Sequence, residues 1–277
     1  MHVIQWVRPA LRATAVGLFL LALAGCAKVP VTGRSQLSLV SSGEVMAMSD
    51  QQYSKFLTEN PPSKDAAGTA QVKRVGVRIQ QAVEAFAKEK GFESRLANYK
   101  WEFNLVDSKE VNAWCMPGGK VVVYSGILPV TKDDTGLAVV MGHEIAHAVA
   151  EHGAERMSQQ MMAQYGGVAL GELIKTKPAA TQQLAMTAFG VGAQYGVLMP
   201  FSRQQESEAD RLGLIFMAIA GYDPKQAPAF WERMSAGKDA SGAPPEIMST
   251  HPSDATRIKK LNEEMPEALQ YYKPAAK

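Results

Sequence analysis

Two short stretches 59 residues apart restrict what this chain can fold into: His143-Glu144-Ile145-Ala146-His147 and Glu206-Ser207-Glu208-Ala209-Asp210. From Asp133 to Met157, the residues Leu137, Val140, Met141, Ile145, Ala148 and Val149 recur at helical spacing without a Pro. The pattern predicts one long, largely buried helix, capped by Thr135 or Asp134, with Gly142 and Gly153 as its weak points. Residues four apart on a helix lie one turn above each other. His143 and His147 can therefore aim two imidazole nitrogens at one point, about 2 Å from each, the Zn–N distance. Glu144 sits beside them, where a carboxylate can take a proton from an attacking water.

A catalytic zinc takes three protein ligands and keeps one position open, so a third group must come from elsewhere. On a continuous helix His152, nine residues after His143, points to the opposite face. The three-His pattern H-E-x-x-H-x-x-G-x-x-H also needs Gly at 150 and His at 153, where this chain has Ala150 and Gly153. His152 is therefore read as an exposed or structural histidine. The acidic cluster fits better. Glu206 and Asp210 are four apart and share a helix face, whereas Glu208 is rotated by about 200°. Glu206 as ligand and Asp210 as acceptor for the outer N–H of His143 would use both carboxylates. Glu208 as ligand stays open, but it would leave Asp210 without a role.

The motif H-E-I-A-H, the stretch Ser202 to Gly213 and the run Thr250 to Ile258 (T-H-P-S-D-A-T-R-I) together resemble the HtpX–BepA–LoiP family. This is a CaaX-prenyl-protease-like group of zinc metallopeptidases within the gluzincins. Val111 to Lys120 resembles that family's strand beside the active site, and the likeness runs from Val31 to Leu261. Outer-membrane lipoprotein members such as LoiP are the nearest in pattern. The resemblance implies a gluzincin-type fold with a small β-sheet beside the active-site helix. It implies one zinc per chain on His143, His147 and Glu206, with Glu144 as the catalytic base. It also brings in His251, as an occluding ligand or a substrate contact, and offers His251 or Arg257 as oxyanion donors.

At the N-terminus, Arg8 and Arg12 precede the apolar run Ala13 to Ala24 and the ending Leu23-Ala24-Gly25-Cys26. Positive flank, short apolar segment and small-residue cleavage site predict a secretory signal over residues 1–25 rather than a membrane span. The L-A-G-C ending looks like a bacterial lipobox, so Cys26 is expected to be acylated and to anchor the chain to a membrane. Ala27, in place of Asp, implies the outer membrane, with the chain facing the periplasm. Residues 26–40 then read as lipidated Cys and tether, and residues 41–277 as a single metallopeptidase domain. Removing residues 1–25 takes away two Arg and no acid, leaving 27 basic against 27 acidic residues. That balance argues against nucleic acid as a partner. Cys115 is the only other thiol, so no intramolecular disulfide is expected once Cys26 is acylated.

The remaining pattern is α+β with helices dominant. Helices are predicted over about Ser42–Leu57 and Gly68–Lys88, split by Asn60-Pro61-Pro62, and short strands over Trp101–Val106, Val111–Cys115 and Val121–Tyr124. The edge near Val121–Tyr124 is the expected docking site for substrate as an added strand. Leu184 to Phe201, inside an uncharged gap from Lys177 to Arg203, is too diluted by Gly and Gln to span a membrane. It is read as a buried core or cleft-covering helix. The sequence as a whole predicts a zinc endopeptidase acting on unfolded or misassembled envelope proteins. The competing reading is a lipid-anchored chaperone or assembly factor that uses the same cleft to hold extended chains.

Overall fold

The computed structural model describes residues 26–29, 32–194, 198–237, 245–251 and 255–274. The predicted signal segment 1–25 lies outside the described residues. The elements run β1 (Cys26–Lys28), β2 (Ser35–Leu37), α1 (Ser42–Glu59), α2 (Ala66–Lys90), β3 (Glu102–Val106), β4 (Ala113–Met116) and β5 (Lys120–Tyr124). They continue with α3 (Asp134–Val149), α4 (His152–Ile174), α5 (Ala179–Ala193), α6 (Met199–Ile219), α7 (Gln226–Ala236), α8 (Glu246–Thr250) and α9 (Ala255–Tyr271). The helix-dominated class is as expected.

Local chemistry sets the boundaries. Ser41 and Glu44 form a reciprocal capping box at the start of α1. Asp65 caps α2, and Gly91, at φ 73°, ends it in the left-handed region that glycine enters without penalty. Along α2, Val72, Val75, Ile79, Val83 and Phe86 form one buried stripe, each worth about 1.5–3 kcal/mol when removed from water. Gly76 lets that stripe close on β3, because a Cβ there would lie 2.3 Å from the Phe103 ring. The core helix α3 is capped by Asp133, whose carboxylate accepts from Gly136 N at 2.9 Å, rather than by Asp134 or Thr135.

Four expectations are corrected. The run Asp133–Met157 is two helices, because α3 stops at Val149 and Glu151 takes φ 57° before α4 begins. The left-handed residue is held by Ser42 Oγ, which donates to Glu151 Oε1 at 2.9 Å. The three strands exist, but the sheet order is β3-β5-β4, with β5 parallel to β3 and antiparallel to β4. Val121–Tyr124 is therefore paired on both sides and offers no free edge. That edge passes to β4, which packs against α3. The segment read as a tether begins instead as a hairpin, β1 against β2, with Val29 just after β1 buried in the main core. The apolar run from Leu184 is not core either. It lies mostly in α5, which packs on α4 and contains no buried residue, and Leu184 is 72% exposed. Among the described residues no helix is long and apolar enough to cross a membrane.

The decisive packing is α3 against α6. A Cβ on Gly142 would lie 3.1 Å from Gly213 O, and one on Gly213 would lie 3.0 Å from His143 N. Two facing glycines let the helix backbones touch, and that approach brings the two sequence motifs together.

Candidate active site

His143 and His147 lie one turn apart on α3, and Glu206 reaches them from α6. His143 Nε2 is 3.1 Å from His147 Nε2 and 3.3 Å from Glu206 Oε2, while His147 Nε2 is 3.3 Å from Glu206 Oε1. His251, at the end of α8, enters the same cluster, its Nδ1 3.2 Å from His143 Nε2 and 3.0 Å from Glu206 Oε2. All four side chains are buried, and one donor atom of each lies within 4.8 Å of the others. Three imidazole nitrogens and a carboxylate thus face one point. Nitrogen lone pairs opposed at this distance repel unless a proton or a cation lies between them. Two N donors with one O donor, all on buried side chains, are the donor set of a catalytic zinc.

The charges around the cluster agree. Burial raises the Glu206 carboxyl's pKa, but His147, His143 and His251 outweigh it and hold the group far below the usual carboxylate range. Burial pushes His147 well below the ordinary imidazole value, which keeps a lone pair available for coordination. For His143, burial and Arg257 push downwards, yet Asp210 and Glu206 prevail and raise it to about 9, so these carboxylates favour a cation at the ring: a proton on Nε2, which a metal ion would displace.

Outer contacts select each tautomer. His143 Nδ1 lies 2.9 Å from Asp210 Oδ1 and must donate to it, which leaves Nε2 bare towards the cluster. Arg257 donates twice to Asp210, at 2.8 and 2.6 Å, and its guanidinium lies 3.5 Å from the Trp231 ring centroid. It also donates to the backbone carbonyl of His251 at 3.2 Å. Arg257 therefore sits behind His143, on its Nδ1 side. Its 3.2 Å approach to Nδ1 is a close contact between two donors.

Glu144 is buried, and among the described residues its Oε1 accepts no hydrogen bond, with His251 Nε2 3.5 Å away. A buried carboxylate oxygen that accepts no hydrogen bond is rare and calls for a functional account. Cys115 on β4 is close enough for Glu144 to act on it. Burial, with that carboxylate adding, pushes its thiol's pKa well up, so the reactive thiolate is suppressed. A cavity of about 580 Å³ opens onto the cluster, lined by Met199, Arg203, Glu206, Asp210, Arg257 and Lys260.

The helix break at Glu151 changes the place of His152. Its ring is fully buried, with Nδ1 2.9 Å from His147 Nδ1 and Nε2 3.0 Å from Glu208 Oε2. It is structural and not exposed, and it faces the site rather than the opposite side. Glu208 points away from the metal ligands towards His152, Thr32 and Arg34, and these partners bring it to about 2 against the opposing effect of burial. Neither Arg34 nor Trp231 carries a signal in sequence spacing, because both arrive from remote segments.

Residues 74–265 match the sequence profile of Peptidase family M48. Over 244 residues the chain is 35% identical to the mitochondrial metalloendopeptidase OMA1 of Schizosaccharomyces pombe, covering 87% of this chain and 66% of that protein. It is 29% identical over 246 residues to the human metalloendopeptidase OMA1, covering 87% of this chain and 46% of that protein. It is also 30% identical over 233 residues to the beta-barrel assembly-enhancing protease of Escherichia coli, covering 83% of this chain and 45% of that protein. The chain thus spans two thirds or less of the length of these relatives. With a profile match over most of its length and the two helical motifs meeting at a buried N/O cluster, the chain belongs to peptidase family M48, a family of zinc metallopeptidases.

Proposed function

We propose that this chain is a zinc-dependent endopeptidase of the bacterial envelope that hydrolyses unfolded or misassembled envelope proteins. The observation that carries the reading is Glu144, a buried carboxylate whose Oε1 has no hydrogen-bond partner among the described residues, set beside the metal-ligand cluster. His143, His147 and Glu206 would hold the metal. When bound, zinc polarises the scissile carbonyl and acidifies the attacking water. Glu144 takes the proton of that water and passes it to the leaving amine. Asp210 orients His143, and Arg257 clamps Asp210, so we assign Arg257 to positioning rather than to the oxyanion. Substrate adds as a strand along β4, where main-chain hydrogen bonds read no sequence and neighbouring pockets impose a preference. Unfolded chains can present such a strand, and the E. coli relative's name, beta-barrel assembly-enhancing protease, fits an envelope role. The test is cleavage of casein by the purified chain lacking residues 1–25, with and without chelator. Chelator-insensitive cleavage would refute the metal mechanism, and no cleavage at all would favour the chaperone alternative.

Location rests on the N-terminus, with residues 1–25 as signal peptide, Cys26 acylated and residues 41–277 as one catalytic domain. This reading follows the sequence's resemblance to the family's outer-membrane lipoprotein members. Cys26→Ser is expected to release the protein from the membrane fraction. Carbonate-resistant membrane association of that variant would point instead to insertion of the apolar run 184–201.

His251 adds a control. Its Nδ1 lies among the ligands, where it competes with water and substrate for the open position. His251→Ala is therefore expected to raise basal peptidase activity. A fall of about 10²–10³-fold at unchanged zinc content would identify His251 as an oxyanion donor instead.

A further inference from the structure

The buried cluster on the far side of His147 is built from three parts of the chain. Arg34 comes from the β1–β2 hairpin, Glu155 from α4 and Glu208 from α6. Arg34 donates to Glu155 Oε1 at 2.7 Å and Oε2 at 2.8 Å, and to Glu208 Oε2 at 2.9 and 3.0 Å. Gln205 donates to Glu155, and Thr32 to Glu208. Both carboxylates are buried, so the guanidinium fork between them offsets a repulsion that would otherwise separate α4 from α6.

Donor and acceptor roles along this cluster follow in one direction. His152 Nε2 faces the Glu208 carboxylate at 3.0 Å and must carry a hydrogen. In the neutral ring, Nδ1 is then the acceptor, and it meets His147 Nδ1 at 2.9 Å. His147 must donate there, which leaves its Nε2 bare and aimed at the cluster. Asp210 does the same for His143 by direct contact. For His147 the carboxylate is one residue further away, and Arg34 holds that carboxylate in place.

The geometry points to Arg34 as a positioning residue for the metal ligand His147, acting through Glu208 and His152. The inference rests on the metal assignment above. It makes the N-terminal hairpin, whose Arg34 lies eight residues beyond Cys26, part of the support of the metal centre. A hairpin pulled away from α4 and α6 would leave His147 free to rotate or change tautomer.

The test is a double-mutant cycle read in zinc affinity by chelator competition, and in the visible spectrum of the cobalt-substituted protein. His152→Phe is expected to lower zinc affinity by about 10–100-fold, and Arg34→Met by about 10-fold. The double variant should lose no more than His152→Phe alone, because both act along one chain of contacts. Arg34→Lys should recover part of the loss, and both single variants should shift the cobalt bands. If Arg34→Met does not fold, Glu208→Gln replaces it in the cycle. Full multiplication of the two losses would overturn the inference and leave Arg34 a merely structural residue. So would wild-type affinity and spectrum in a folded Arg34 or Glu208 variant. Glu206→Gln run in parallel separates the two levels: retained zinc there refutes the metal assignment itself. Zinc lost there, but kept on altering Arg34, refutes the positioning role alone.

Discussion

Glu144→Gln is expected to abolish detectable casein hydrolysis while zinc stays bound at wild-type stoichiometry. The substitution keeps the size of the side chain, but an amide cannot accept the proton of the attacking water. General-base catalysis contributes on the order of 10²–10⁴-fold, so the loss should appear in kcat with little change in KM. Glu144 is not among the four residues whose donor atoms converge on the metal point. Zinc content measured by atomic absorption should therefore not move. Loss of metal from this variant would place Glu144 among the ligands, and full activity would remove it from the chemistry.

Glu206→Gln carries the second large effect. Its carboxylate lies 3.3 Å from the Nε2 atoms of both His143 and His147, and it is the one anion among the four described residues that converge on the metal point. A neutral amide there removes the charge that balances the cation. Altering an outer partner of a ligand costs about 10–100-fold in metal affinity, and loss of a direct ligand should exceed that. Chelator competition is expected to show a zinc-poor protein with little activity. Glu208→Gln is the comparison. Sequence spacing places Glu208 off the ligand face and predicts no effect, whereas its contact with His152 predicts a smaller, measurable loss. A larger effect at Glu208 than at Glu206 would mean that the ligand has been assigned to the wrong turn of α6.

Much of the architecture was legible because it is local. Helical periodicity marks α1, α2 and α3, and alternation with breakers marks the three strands near the site. The spacing of four in His143/His147 and Glu206/Asp210 encodes a shared face, since a helix repeats every 3.6 residues wherever it lies. The order β3-β5-β4 was not legible, because strand pairing is made by backbone groups that carry no residue identity. The apolar run from Leu184 was misjudged because hydrophobicity predicts a wish for cover and does not say that cover is supplied.

The sequence by itself determined that two imidazoles and a carboxylate would each be presented on a helix face, with a base beside them. Only the tertiary structure decided how those groups are held. Facing glycines at 142 and 213 set the distance between the two helices, and each is visible alone but meaningless without its partner. A left-handed Glu151, a residue type with no preference for that conformation, turns His152 onto His147. Arg34 reaches Glu208 across 174 residues. Helix faces are set by neighbours in the chain, whereas the partner of a buried charge is set by which segments pack together, and that is a property of the whole fold.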